Sequence, residues 1–208
     1  MNLPDTELIE LTLREYGVSA APQTLAAIRL YISLLLRWNE RISLTTVTDP
    51  EEILRFHFGE CMFAASAVPL RDGRLADVGT GAGFPGIALK VLNPDLQLVL
   101  IESNAKKAAF LSECLRQIGI IGAEVYRGRF EDFPSKSAPF DFVAARALGA
   151  YPTLAKWSRA MLAPGGKLVL WLGERDSTEM SRDALFQWRK PIPIPGSDRR
   201  TILVGVTQ

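Results

Sequence analysis

Ten consecutive residues, Asp77-Val-Gly-Thr-Gly-Ala-Gly-Phe-Pro-Gly86, have the types and spacing to cradle a nucleoside cofactor. Glycines let the backbone approach a ligand closely, and a helix beginning after them would present free N–H groups. Two cofactors compete for this loop. Gly81, Gly83 and Gly86 satisfy G-x-G-x-x-G, the dinucleotide fingerprint, which alone is a weak signal. Gly79, Gly81 and Gly83 also fall in the frame Asp-x-Gly-x-Gly-x-Gly, with Gly79 directly at the end of the apolar segment 75–78. That frame favours S-adenosylmethionine, because the dinucleotide frame starts two residues late. Glu102 closes the next apolar segment, where a carboxylate can accept both ribose hydroxyls. Dinucleotide enzymes place an acid there too, so Glu102 supports a nucleoside without choosing between the two. Asp77 has two readings: an acid bracing the loop, or one placed under the methionine amino group.

The surrounding elements must hold this loop at a strand end. Segments 75–78, 96–101, 123–126, 140–145 and 167–172 read as strands, and 84–92, 105–118 and 153–162 as helices, with Gly119 ending the second. Strands alternating with helices predict an α/β fold built on a mainly parallel sheet. The tail adds strands at 187–192 and 201–206, joined by Pro195-Gly196-Ser197-Asp198, which predicts an antiparallel hairpin at one sheet edge. Residues 1–68 are expected to form a helical extension, with a helix starting at Asp49-Pro50, and residues 69–208 the cofactor-binding core. The turn Pro164-Gly-Gly166 before the fifth strand is much commoner in methyltransferases. Together with the loop frame and Glu102, it selects S-adenosylmethionine.

Composition removes other chemistries. One histidine, His57, and two cysteines, Cys61 and Cys114, leave no His/Cys zinc site, so no metal is expected. No G-x-S-x-G elbow accompanies His57, which argues against hydrolysis. No apolar run approaches a membrane span, the N-terminus lacks a secretion pattern, and two unpaired thiols suit a reducing cytoplasm. Net charge is +1, yet Lys and Arg against Asp and Glu run five to nine over 1–70 and twelve to nine over 71–160. Any nucleic-acid contact must therefore come from a local cluster outside the N-terminal part.

The cofactor loop with its Phe84-Pro-Gly86 continuation resembles the bacterial small-subunit ribosomal RNA guanine-N7 methyltransferases, the family of RsmG or glucose-inhibited division protein B. The likeness extends through Leu100-Ile-Glu-Ser-Asn-Ala-Lys-Lys-Ala-Ala-Phe-Leu111, Arg129-Phe-Glu-Asp-Phe133 and Val143-Ala-Ala-Arg-Ala-Leu148. Upstream, Leu36-Arg-Trp-Asn-Glu-Arg-Ile-Ser-Leu-Thr45 is similar to that family's helical signature, and Ile194-Pro-Gly-Ser-Asp-Arg-Arg-Thr-Ile-Leu-Val204 to its terminal hairpin. The resemblance implies a class I, Rossmann-like methyltransferase with a seven-stranded sheet. It implies methyl transfer to N7 of one guanine in the 530 loop of 16S ribosomal RNA. A monomer is expected, and the small number of basic residues favours a small-subunit assembly particle over naked RNA. By motif position, Gly79, Gly81 and Phe84 would touch S-adenosylmethionine, Phe130 and Glu131 would flank its adenine, and Arg146 would lie at its methionine end. Lys106, Arg129 and Arg146 occupy positions where the family carries basic residues. The chain departs from the family at Phe56-His-Phe-Gly-Glu60-Cys61, where the family usually reads Arg-His-x-x-Asp-Ser; a packed or capping His57 is the reading preferred here.

The residues suit that reaction. Guanine N7 has no proton to lose before attack, so the absence of an obvious general base is no obstacle, and placement supplies the catalysis. No Asn/Asp-Pro-Pro-Tyr/Phe segment of amino-methyltransferases follows the fourth strand. Arg146 can donate to guanine O6 or a phosphate, or else pair with a carboxylate such as Glu131. Lys106 and Lys107 start a helix, where cations oppose the dipole, which favours a phosphate-binding role for Lys106 over plain solvation. A non-catalytic RNA-binding protein on the same fold, or a dinucleotide-dependent oxidoreductase, are the alternatives that cofactor titration and a methylation assay separate.

Overall fold

A computed structural model describes residues 3–137 and 139–207. Asp5 accepts the Leu8 N–H at 2.8 Å and starts α1 (Thr6–Glu15); Pro22 opens α2 (Pro22–Asn39), where a proline's missing N–H costs nothing. α3 (Pro50–Ile53) begins at the expected Asp49-Pro50 pair, with Asp49 accepting the Glu51 and Glu52 N–H groups at 3.0 and 2.9 Å. It runs directly into a π-helical turn, Leu54–Gly59, and then α4 (Glu60–Ala67). Such turns are rare and concentrate at functional sites.

Strands and helices then alternate: β1 (Arg74–Val78), α5 (Gly86–Leu92), β2 (Gln97–Glu102), α6 (Ala105–Ile118), β3 (Ala123–Arg127), β4 (Phe140–Arg146), α7 (Tyr151–Met161) and β5 (Leu162–Gly173). After them come α8 (Glu174–Met180), β6 (Gln187–Trp188), β7 (Ile192–Pro193) and β8 (Arg200–Val206). The strand order is β3-β2-β1-β4-β5-β8-β6, with β7 also paired to β8. β1 to β5 are parallel, and β8 runs antiparallel to β5, β6 and β7. The α/β class, the mainly parallel sheet and the antiparallel terminal hairpin are those expected. The first strand of the hairpin arrives in two pieces, β6 and β7, making eight strands rather than seven. Trp188 faces Gly205 and Ile192 faces Ile202, so four steps on one strand meet three on the other. That is a β-bulge, and Pro191 and Pro193 beside it have no N–H to give the ladder.

Alternation along each strand sorts the core into two layers. Leu98, Leu100, Phe142, Ala144, Val169 and Trp171 pack in one layer with Ile9 and Leu13 of α1, Ile28, Ile32 and Leu35 of α2, and Phe110 of α6. Val99, Ile101, Val143, Ala145 and Leu170 face the other, with Leu154 of α7, Met180 of α8, Phe130 and Phe133. Residues of α1 and α2 thus share a core layer with the sheet itself. Each fully buried side chain of this kind contributes about 1.5–3 kcal/mol. No helix of the described residues is long and apolar enough to cross a membrane.

Candidate functional site

The glycine loop is tied down at both ends. Gly79 donates to the Ile101 carbonyl at the end of β2 at 2.9 Å, and Gly83 and Phe84 donate to Thr80 O at 2.8 and 3.1 Å. Gly79, Gly81 and Gly83 take φ of 65°, 58° and 92°, a region open to glycine and strained for other residues. Asp77 is fully buried beneath them. Its Oδ2 accepts the Thr80 hydroxyl at 2.5 Å and the Gly86 N–H at 2.7 Å, so of its two readings the loop-bracing one is what the contacts show. Burial pushes its pKa up to about 7, while the Thr80 and Gly86 bonds pull the other way.

A methyl group on Gly86 would lie 2.6 Å from Asp77 Oδ2 and 2.7 Å from Leu100 Cδ2. Gly86→Ala should therefore cost at least 1–3 kcal/mol, roughly the penalty of overpacking, measurable by urea unfolding. Wild-type stability in that variant would mean the brace has slack. Gly81 differs: a methyl group there meets nothing nearer than Gly79 O at 3.9 Å, so the loop is open on that side.

Register brings the remaining residues to this edge. Val78 lies opposite Ile101, Asp77 opposite Ala144 and Glu102 opposite Arg127, so the ends of β1 to β4 share the carboxyl edge, the ligand side of such sheets. Glu102 reaches the loop directly: Oε2 accepts the Gly81 N–H at 2.9 Å and Oε1 the Asn104 N–H at 2.7 Å. Lys106 is exposed in the first turn of α6, capped by Asn104 Oδ1 at 2.9 Å from its N–H. Phe130 is buried, edge-on to Trp157 at 5.6 Å. Arg129 and Glu131 are exposed and paired at 2.8 Å, which holds the Glu131 carboxyl below the usual range. Phe84, later in the loop, packs among residues of the N-terminal part. Its ring is buried, stacked on His57 at 4.8 Å and edge-on to Tyr31 and Phe58 at 5.3 and 5.2 Å.

Arg146 has partners that the sequence did not suggest. The ion pair with Glu131 is not formed, because Glu131 faces Arg129. Instead Nη1 of Arg146 donates to Phe56 O at 2.6 Å and Cys61 Sγ at 3.3 Å, and Nη2 to Glu60 Oε2 at 3.2 Å. The other Glu60 oxygen meets Arg200 Nη2 at 2.8 Å, and Trp171 donates its indole N–H to Glu60 O at 2.9 Å. The Glu60 and Arg146 side chains are only 2% and 17% exposed. Burial pushes the Glu60 pKa up and the two guanidiniums pull it down; burial raises the Cys61 thiol to about 11. The guanidinium of Arg200 also lies 5.1 Å above the Phe56 ring. Glu60, Cys61 and Arg200 were not singled out as site residues. One signal existed, since a carboxylate inside the apolar run Phe58-Gly-Glu-Cys-Met-Phe63 must have a partner if buried.

His57 is a packed residue. Its Nε2 is 2.9 Å from Thr45 Oγ1, and burial, then the nearby Arg146 charge, lowers its pKa to about 4. Thr45 is held in turn by Asn39, whose Oδ1 accepts the Leu44 and Thr45 N–H groups at 2.8 and 3.1 Å. Among the described residues, no group of three or more His, Cys, Asp or Glu could hold a metal ion.

A Syntrophobacter fumaroxidans protein named ribosomal RNA small subunit methyltransferase G 1 is 32% identical over 209 residues, covering 98% of this chain and 93% of its own. The Stenotrophomonas maltophilia ribosomal RNA small subunit methyltransferase G is 37% identical over 180 residues, covering 85% and 84%. Among solved structures, a SAM dependent methyltransferase from Aquifex aeolicus superposes with a TM-score of 0.62 at 17% identity, covering 77% of this chain and 94% of that one. The precorrin-6y C5,15-methyltransferase of Geobacter metallireducens gives 0.60 at 14% identity, covering 80% and 91%. At such identities these two show a shared fold. The family model GidB, described as rRNA small subunit methyltransferase G, matches residues 24–189, from α2 through the glycine loop and Arg146 to β6, and to that family this chain belongs.

Proposed function

We propose that the protein transfers a methyl group from S-adenosylmethionine to N7 of one guanine in the 530 loop of 16S ribosomal RNA, as a monomer in the cytoplasm. The observation that carries the cofactor part of this reading is the direct bond from the Gly81 N–H to Glu102 at a sheet edge that also presents Arg146; the choice of guanine rests on the family. The residues fit the cofactor. Gly81 leaves space for close approach, and each Glu102 oxygen spends one lone pair on a backbone N–H and keeps another for a ribose hydroxyl. Gly79 and Gly81 would line the cofactor, Glu102 hold its ribose, Phe130 and Glu131 flank its adenine, and Arg146 meet its methionine end. When bound, the cofactor supplies an electrophilic methyl group on a sulfonium.

The protein's own task is placement. Guanine N7 offers a free lone pair, and no side chain here has to remove a proton: the single imidazole is neutral and engaged with Thr45, and Asp77 is engaged with the loop. Arg146 keeps two of its five N–H donors without partners among the described residues, at Nε and one Nη2 position. Donation to guanine O6 would fix the base and leave N7 exposed. The target base must be reached individually, which suits a looped or unstacked guanine. With near-zero net charge the protein should bind naked RNA weakly and prefer an assembling small subunit.

Radiolabelled methyl transfer to small subunits from a strain lacking the modification, with mapping of the product, tests the reading. Label at any position other than a guanine N7 in that loop would overturn it. Lys106 and Arg129 are exposed at the rim, and the Arg129–Glu131 pair is an exposed one of little worth, easily exchanged for a phosphate. Replacing both cations by alanine should lower methylation about tenfold and weaken its salt dependence while leaving cofactor affinity intact. An unchanged rate would remove these two residues from the RNA interface.

A further inference from the structure

Every polar group of Glu60 outside its own helix is committed to residues far away in sequence. Its carbonyl takes the Trp171 indole N–H, one carboxylate oxygen takes Arg146, and the other takes Arg200. The π-helical turn makes this possible: it carries Phe56, whose carbonyl and ring contact the two arginines, and ends one residue before Glu60. Arg200 is fixed from its far side as well, since Ser197 Oγ accepts its Nε–H at 3.1 Å. Two guanidiniums and one carboxylate leave the cluster with a single net positive charge, 98% of the carboxylate side chain being out of solvent. As stability, such a buried pair returns little beyond what apolar packing would give. As geometry it does more: three contacts to Phe56, Cys61 and Glu60 lock the guanidinium plane of Arg146.

We infer that Glu60 is the positioning residue for Arg146, holding the guanidinium in the one orientation that presents its two unused N–H donors to the target guanine. The inference rests on the proposed methyl transfer for the role of Arg146, and on the contacts alone for the role of Glu60. Arg200 clamps the second carboxylate oxygen so that Glu60 cannot swing away with its partner. A carboxamide at this position keeps the size and one acceptor, but loses the charge that grips both arginines at once. A shorter carboxylate keeps the charge.

The test uses the full chain with Glu60→Gln and Glu60→Asp, each assayed well below its unfolding midpoint, with cofactor binding by calorimetry as proof of folding. The Gln variant should lose about 10- to 100-fold in kcat, the scale of a catalytic group misplaced by an ångström, with the KM for S-adenosylmethionine unchanged. The Asp variant should recover most of that loss. In 15N NMR, the Nη protons of Arg146 should be resolved in the wild type and averaged by rotation in the Gln variant. A Gln variant working at the wild-type rate, or an Asp variant no better than Gln, overturns the inference. So does an Arg146 signal that is unaffected by Glu60→Gln. Failure of the wild-type protein to methylate small subunits would instead strike the proposed function, and the NMR comparison would still decide whether Glu60 holds Arg146.

Discussion

Arg146→Lys should lower methyl transfer to small subunits by about 100-fold or more, a loss larger than that from either rim cation. Arginine is held here as a planar fork, with one nitrogen on Phe56 O and Cys61 Sγ and the other on Glu60. Lysine carries three donors at one point and cannot serve the backbone carbonyl, the sulfur and the carboxylate while also addressing a base. The charge survives, so Glu60 keeps a cation nearby and the fold should tolerate the change. Arg146→Ala should cost more, about 3 kcal/mol of stability, because a buried carboxylate loses one of its two partners. Single-turnover kinetics and urea unfolding separate the two effects. A lysine variant with near-wild-type kcat would show that charge alone suffices there.

Asp77 should make the fold less stable as pH rises, the reverse of an ordinary salt-bridged carboxylate. Its folded pKa is about 7 against an ordinary 3.8, so between those values the folded state keeps a proton that the unfolded chain has released. Stability therefore falls from about pH 4 to pH 7, by roughly 4 kcal/mol for a shift of about three units, and stays reduced above that. Asp77→Asn retains an oxygen for Thr80 and Gly86 but cannot ionise, so this slope should vanish. Its amide N–H groups would occupy the place of Oδ1, which has no partner, so the variant's absolute stability carries a separate penalty of about 1–3 kcal/mol. The slope between pH 5 and pH 8 is thus the diagnostic quantity. Equal slopes for the two proteins would assign the titration to another group.

The parts of the fold written in local pattern were legible in the sequence. The helix predicted over 105–118 is α6, with Gly119 at φ 74° ending it, and Asp49-Pro50 starts α3 as read. The glycine frame, the bracing option for Asp77 and the place of Glu102 all follow from residues close in sequence to the strand ends they serve. What stayed hidden is non-local or lacks a period. α8 has only Ser177 and Met180 buried, so no apolar repeat marks it. The π turn has no signature beyond the helix that contains it. The Phe84 ring belongs to a cluster with Tyr31 and His57, and nothing in the loop itself announces that α2 will cover it. The Glu60 cluster is the sharpest case: its two arginine partners, Arg146 and Arg200, lie 86 and 140 positions away along the chain, and only the packing of α4 on the sheet brings them together.

That same separation orders events during synthesis. The loop of residues 77–86 takes its bracing contacts from β1, β2 and Glu102, all within residues 74–102. Arg200 stands at the start of β8, and β8 can pair with β5 only once nearly all the described residues exist. The residues that brace the glycine loop therefore all precede Arg200 by about a hundred positions, and by the inference above the clamp on Glu60 is the last part of the site that synthesis supplies.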